Sequence, residues 1–287
     1  MDQRIIDLYD EYTHAPLPRR VFLSRLSVLV GGTAAAAALL PLLESNYALA
    51  ATVAADDARL ETSRVTYPGA SGPVKGYLAK PKGAPARLPG VVVVHENRGL
   101  NPHIEDVTRR VALAGFTALG VDMLSPQGGT PATDDAARDM HGKIDAAVAV
   151  RDLVAAVAWL KARPDATGKV GAVGFCWGGG MVNRLAAASP DLTAAVVFYG
   201  VSPPAAEAAK VKARMLLHYA GADERVNATA PAWEEALKAA GVGYTKHMYD
   251  GAQHAFHNDT AGPRHDPAAA KQAWDRTVAF FKETLAG

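Results

Sequence analysis

The chain has almost no cysteine. A single Cys among 287 residues, Cys176, excludes an intrachain disulfide and leaves no set of thiolates for a Cys-based zinc site. An excess of one charge sign is also missing. Thirty Lys and Arg against 29 Asp and Glu give a net charge of +1, scattered with no basic stripe, so nucleic acid is not expected as a partner. No apolar run of membrane length follows the first fifty residues, and no stable membrane insertion of the mature domain is expected. What is present is 49% hydrophobic residue, enough at this length for one sizeable α/β domain with its own core.

Residues 1–50 read as a twin-arginine-type signal segment, and 51–287 as a single domain. Arg19-Arg20-Val21-Phe22-Leu23 carries the arginine pair, Leu26 to Leu43 is apolar and rich in Ala and Gly, and Ala48-Leu49-Ala50 offers a cleavage site before Ala51. Pro41 and the interrupting glycines weaken a membrane-spanning helix. The expected location is periplasmic or secreted. The alternative is a cytoplasmic protein whose uncleaved N-terminal helix packs on the domain, with an amphipathic start at Ile5, Ile6, Leu8, Tyr9 and Tyr12.

From about residue 60, strand-like and helix-like segments alternate. Arg64–Tyr67 and Val74–Leu78 read as a hairpin around the turn 68–73. Val91–Val94 is a continuous apolar run, as in a strand buried on both faces of a parallel sheet. Further strands are expected at 116–121, 170–175, 194–199, 215–219 and 244–249, with helices at 104–114, 145–162, 179–188, 230–240 and 267–285. The pattern implies a mostly parallel central sheet with helices on both faces. The Gly- and Pro-rich loop 125–133 sits at a strand's C-terminal end, the edge where such sheets place ligands.

The most informative run is Gly174-Phe175-Cys176-Trp177-Gly178, between a strand and a helix. It has the form of a nucleophile elbow with cysteine as the nucleophile. Asp223, after the strand 215–219, and His254, after the strand 244–249, follow in the order nucleophile, acid, histidine. His254 would take the thiol proton, and Asp223 would fix the imidazole tautomer. Rivals exist: Asp250 as the acid, His257 or His265 as the base, and a turn or cap role for Asp223. His254-x-x-His257 has metal-pair spacing but no third ligand cluster, so no metal is expected. His95-Glu96-Asn97-Arg98-Gly99 follows the strand 91–94, where the second oxyanion donor belongs, so the backbone N–H groups of Asn97 and Trp177 are the expected oxyanion hole. A glutamate entering this pocket would be partly desolvated and its pKa raised, unless it pairs with Arg98.

Glu96, the elbow 174–179, Phe198-Tyr199-Gly200, Asp223 and His254-Ala255-Phe256 together resemble the dienelactone hydrolase family, the carboxymethylenebutenolidases, over essentially all of 60–287. The resemblance implies an α/β-hydrolase fold, a Cys176–Asp223–His254 triad, and a Glu96 that contacts the cysteine and controls its ionisation. It implies no cofactor, and substrate contacts at Tyr199, Arg98 and Phe256. Members acting on dienelactone hold its carboxylate with arginines, one shortly after the histidine. Here His257-Asn258 stands at that place, with Arg98 or Arg264 as substitutes. The expected activity is hydrolysis of a small ester or lactone through an acyl-enzyme. A peptidase or thioesterase on the same triad, or a non-hydrolytic redox-responsive thiol protein, is the alternative.

Overall fold

Val91 to Val94 are fully buried, and they achieve this by facing opposite ways. Val91 and Val93 enter one hydrophobic core, Val92 and Val94 another, because successive side chains of a strand point to opposite faces of the sheet. Each such burial contributes about 1.5–3 kcal/mol. The two cores are the two sides of one sheet. The computed structural model describes residues 1–14, 17–44, 46–47, 52–84 and 87–286.

Among these residues the sheet has eight strands: β1 (Leu60–Gly69), β2 (Gly72–Pro81), β3 (Leu88–Val94), β4 (Thr117–Val121), β5 (Ala166–Phe175), β6 (Leu192–Phe198), β7 (Arg214–Ala220) and β8 (Tyr244–Tyr249). Their order is β1-β2-β4-β3-β5-β6-β7-β8. β1 and β2 pair antiparallel, as do β2 and β4, and every pair from β4 to β8 is parallel. The hairpin is longer than expected, its pairing running to Pro68 with Pro73 and Gly69 with Gly72. The prolines are tolerated because they lie at the hairpin's end, where β1 is the sheet's edge.

The helices are α1 (Gln3–His14), α2 (Arg19–Val30), α3 (Thr33–Leu43), α4 (Pro102–Leu113), α5 (Asp134–His141), α6 (Ala146–Lys161), α7 (Trp177–Ala188), the short α8 (Glu224–Asn227), α9 (Ala230–Ala239) and α10 (Pro267–Leu285). Residues of α4 and α10 fill the first core, and those of α6, α7 and α9 the second. Asn101, Asp145 and Asp266 cap α4, α6 and α10 through side-chain oxygens that accept from the first-turn amides, each worth about 1 kcal/mol. The loop 125–133 begins with one 3-10 turn at Ser125–Gln127. Helix α5, which follows that loop, is not anticipated by the sequence pattern, because its eight residues are mostly polar and bury only Ala137.

The N-terminal segment is folded. α1, α2 and α3 share a small core of Ile5, Leu8, Tyr9, Tyr12, Phe22, Leu26, Ala36 and Leu43. Among the described residues no single helix is long and apolar enough to cross a membrane, and α2 and α3 are bent by 110° to each other. The expected cleavage site at 48–51 lies outside the described residues. The segment docks on the sheet's C-terminal edge. Arg19 pairs with Asp135 at 2.9 Å, the Tyr12 hydroxyl donates to Asp135 at 3.1 Å, and the Arg138 guanidinium lies 4.3 Å from the Tyr12 ring centre.

Two histidines are sealed in the body of the fold. His218 sits between the Tyr249 hydroxyl and Thr277 Oγ1, and His257 packs on Phe175, Phe198 and Trp274. Burial pushes both rings well below the usual imidazole range, so both are neutral in the fold. An unfolded histidine titrates near pH 6.5, at about 1.4 kcal/mol per pH unit. Below that pH the unfolded chain gains protons that the fold refuses, so this stability is complete above pH 6.5 and declines as pH falls. Thermal unfolding should move to lower temperature between about pH 7.5 and about pH 5.5. Imidazole proton resonances of His218 and His257 that titrate between those pH values in the folded protein would overturn this.

Candidate active site

Cys176 occupies a backbone conformation that side chains rarely adopt, with φ 55° and ψ −118°. It is the residue between β5 and α7, and the strain is held by contacts on every side. Its N–H donates to the Phe198 carbonyl at 3.0 Å, and its own carbonyl accepts from Gly180 N–H at 3.1 Å. The turn is so tight that a Cβ at Gly174 would sit 2.1 Å from the Gly178 oxygen, and one at Gly178 would sit 2.4 Å from the Val94 oxygen. The helix begins at Trp177, two residues earlier than the sequence pattern suggests, because Cys176 itself is the cap. The Trp177 N–H is therefore a first-turn amide without an intrahelical partner.

Asp223 and His254 meet. His254 Nδ1 lies 2.5 Å from Asp223 Oδ2, while Asp223 Oδ1 accepts from Val226 N–H at 3.2 Å and caps α8. The cap and the imidazole contact are made by different oxygens of one carboxylate. His254 Nε2 is buried without a hydrogen-bond partner among the described residues. With Nδ1 taken by Asp223, Nε2 is the nitrogen left to face the thiol. His257 is held away among aromatic rings, and His265 follows a 3-10 turn at Gly262–Arg264.

The loop after β3 is braced from below. His95 Nδ1 is 2.5 Å from the Glu96 carbonyl, and His95 Nε2 accepts from Met123 N–H at 3.1 Å, so the ring is neutral with its proton on Nδ1. Burial lowers its pKa, consistent with that state. Asp122 accepts from Leu124 N–H, Thr130 N–H and Thr130 Oγ1, and Thr130 Oγ1 in turn accepts from Leu100 N–H. The loop after β3 and the loop after β4 are thereby tied together.

Three expectations are corrected here. Glu96 makes no hydrogen bond to the thiol: its Oε2 accepts from Asn258 Nδ2 at 2.7 Å and its Oε1 from the Tyr199 hydroxyl at 3.5 Å, because Asn258 on the His254 loop points directly at it. Arg98 does not pair with Glu96 but points to Asp134, with Nε 4.0 Å from Oδ2. Phe256 is no wall of the site. It is fully buried in the first core against Tyr249, Tyr199 and Phe198, since the turn at Ala255 (φ 68°) sends the next side chain inward.

The hydrogen-bond partner of the thiol is a residue outside the predicted domain. His14, the last residue of α1, places Nε2 2.8 Å from Cys176 Sγ. Its Nδ1 lies 3.0 Å from Asp10 Oδ1 and 2.9 Å from the Asp10 carbonyl. Burial alone would lower the imidazole, but Cys176 and Asp10 outweigh it and His14 is pushed up to about 9. Thr13 anchors the same turn by accepting from Asn97 Nδ2 at 2.6 Å. The cavity left around the thiol has a volume of about 30 Å³, walled by Tyr9, His14, Asn97, His254, Asn258 and Arg264. Arg98 and Tyr47 also line it. A wider groove of about 750 Å³ runs between α1 and the loops bearing Asp223 and His254. Asn258 gave no motif signal. His14 and Asp10 carried one, an i, i+4 pair beside the apolar stripe of the amphipathic start.

The "Dienelactone hydrolase family" model matches residues 74–285. A Methylorubrum extorquens protein named "Putative carboxymethylenebutenolidase" is 34% identical over 248 residues, 81% of this chain and 84% of that protein. Among solved structures, a "Putative Dienelactone Hydrolase" from Klebsiella pneumoniae is 29% identical with a TM-score of 0.71, covering 78% of this chain and 99% of the other. P91, a dienelactone hydrolase-like promiscuous phosphotriesterase from metagenomic libraries, is 27% identical with a TM-score of 0.69, covering 79% and 99%.

The glycine at 178 is testable by itself. Gly178→Ala places a Cβ against the carbonyl oxygens of Val94 and His95, both backbone and unable to retreat. Its expected cost is about 1–3 kcal/mol or more. Gly142→Ala, at φ −60° with its nearest neighbour 3.7 Å away, is the control and should be neutral or slightly stabilising. Equal melting temperatures for the two variants would refute the tight approach at the elbow.

Proposed function

Because the chain belongs to the dienelactone hydrolase family, with an α/β-hydrolase fold and ester or lactone hydrolase activity, we propose that it works through Cys176 as nucleophile with His254 and Asp223. The observation that carries this reading is His254 itself. Asp223 holds Nδ1 at 2.5 Å and so fixes the tautomer, leaving a buried, unpartnered Nε2 beside the elbow. Cys176 Sγ attacks the ester or lactone carbonyl and its proton passes to His254 Nε2. The tetrahedral oxyanion rests on the Trp177 and Asn97 amides. Collapse expels the alcohol, which takes the proton back from His254, and leaves a thioester on Cys176. His254 then accepts a proton from water as that water attacks the thioester, and the acid leaves. Glu96 acts at one remove, fixing Asn258 and Tyr199 along the wall.

A 30 Å³ space holds one water and no ester. Substrate entry therefore requires α1 to move off the thiol, the adjoining groove being the route. Arg264, whose Nε is buried without a hydrogen-bond partner, and Arg98 both line the cavity and supply positive charge for an acid-bearing substrate. The peptidase and thioesterase readings share this machinery, and the substrate panel separates them.

Wild-type protein should turn over p-nitrophenyl acetate or a simple lactone, with dienelactone, a thioester and a short peptide as further members of the panel. Cys176→Ala and His254→Ala should each lower kcat/KM by at least about 10³-fold, and the double variant no further, because the two act as a unit. Turnover surviving in Cys176→Ala would sink the thiol mechanism.

Export is the second element of the proposal. Arg19-Arg20 opens α2, and the apolar α2 and α3 follow it, as in a twin-arginine address. In a bacterium with that export route, the mature protein should be found in the periplasm with its N-terminus at Ala51, read by intact mass after fractionation. A periplasmic or cytoplasmic protein retaining Met1 would overturn cleavage.

A further inference from the structure

We propose that Cys176, His14 and His254 form a binding site for a soft divalent cation, Zn²⁺ being the best chemical match, and that the ion pins the N-terminal helix α1 onto the thiol. The three side chains each offer one ligand atom, and these atoms all lie within 4.8 Å of one another. One thiolate and two imidazoles suit Zn²⁺ and its neighbours in the first transition row, and do not suit Ca²⁺ or Mg²⁺, which take oxygen.

The site is built in more than its ligands. His254 Nε2 is buried, unpartnered and left facing the thiol once Asp223 has taken Nδ1. His14 presents Nε2 to the thiol while Asp10 engages its Nδ1. Each histidine thus has a carboxylate behind it that orients the ring and raises its basicity, the arrangement typical of metal-bound imidazoles. Tetrahedral zinc, with Zn–S near 2.3 Å and Zn–N near 2.0–2.1 Å, sets sulfur and nitrogen roughly 3.6 Å apart. The present His14–Cys176 separation of 2.8 Å must open by less than about 1 Å. The small cavity beside the thiol provides the fourth, water-sized position. Glu96 is not a ligand, being held by Asn258 and Tyr199. Arg98 and Arg264 on the same wall are outnumbered by the thiolate and the carboxylates of Asp10, Asp223 and Glu96.

On binding, the pair formed by Cys176 Sγ and His14 Nε2 gives the proton it shares to solvent, and the freed lone pairs of the sulfur and of Nε2 go to the metal. The nucleophile is then withdrawn and α1, which carries His14, is fixed in place. This masking rests on Cys176 being the nucleophile, whereas the binding itself does not.

The test uses full-length protein, reduced and stripped with chelator, titrated with Co²⁺ and followed by absorption, with Zn²⁺ as displacing ion. One equivalent of Co²⁺ should give the intense visible bands of a tetrahedral site and a thiolate-to-cobalt charge-transfer band, both abolished by Zn²⁺ and untouched by Ca²⁺. Cys176→Ser should lose the charge-transfer band. His14→Ala should weaken binding by more than about tenfold, and Asp10→Ala by about 10–100-fold, with thermal unfolding confirming that each variant is folded. In parallel, p-nitrophenyl acetate turnover should fall as the cobalt band grows. Weak octahedral spectra, the same spectra in Cys176→Ser, or unchanged affinity in both His14→Ala and Asp10→Ala would each overturn the site. Unchanged turnover at full occupancy would overturn the masking alone.

Discussion

The constraint on which the structure depends is the close approach of backbones around Cys176. A residue at φ 55° and ψ −118° is unfavourable in isolation and persists only where its surroundings determine it. Here β5 delivers the chain, α7 carries it away, and the ends of β3 and β6 close on both sides. Around it, Gly174, Gly178, Gly179 and Gly200 are places where backbone meets backbone with no room for a Cβ. Because the Cys176 N–H is bonded to Phe198 on β6, and Gly178 lies against Val94 and His95 at the end of β3, the elbow also fixes where the neighbouring loops begin. The loop that carries Glu96 and Asn97, and the turn at Tyr199, take their positions from the same packing. The strain at one residue is thus the reference point for the whole edge.

Much of this was legible in the sequence because it is local or periodic. The apolar run 91–94 specifies a strand buried on both faces, and β3 is one. The elbow motif names its own turn, since only glycine suits the neighbouring positions. Asp223 and His254 were found by their place after two successive strands, and the sheet topology makes them neighbours: β7 and β8 pair in parallel, so the loops leaving both emerge at the same edge. Contacts set by side-chain direction were not legible. Phe256 follows the site-lining His254 and Ala255, yet the positive φ at Ala255 turns it into the core. Glu96 is in the expected loop, yet its partner is Asn258, which no motif marks. Helix α5 is too polar and short to announce itself by periodicity.

The largest departure concerns the first fifty residues. Read as an export segment, they carry no chemistry. Folded as three helices, they bring a histidine to 2.8 Å from the thiol. The reason lies in the amphipathic stripe of α1. Ile5, Leu8, Tyr9 and Tyr12 enter the small N-terminal core, and Asp10 and His14, four residues apart, lie on one side of the helix facing the hydrolase loops. Arg225 near Asp10, and Asn97 against Thr13, are polar contacts from the sheet edge that meet this face. The amphipathic start, which the sequence offers as an N-terminal helix packed on the domain, is this helix.

The site therefore has two histidine–carboxylate pairs converging on one sulfur, with different dependence on the chain. Asp223–His254 lies within residues 74–285, the stretch that matches the family. Asp10–His14 lies outside it. The first pair is the one the proposed acyl transfer uses, and its residues lie outside the N-terminal segment. The second pair, the part of the 30 Å³ cavity's wall made by Tyr9, Thr13 and His14, and one ligand of the proposed cation site all belong to α1 and would depart with it. Cleavage at Ala51 would in one step open the cavity, remove the imidazole that occupies the thiol and break the proposed cation site, leaving the hydrolytic residues intact. In this arrangement the full-length chain is closed and the shorter chain open. The physical cause is not a rearrangement of the hydrolase fold. It would be the loss of one helix whose last side chain, His14, lies against the thiol.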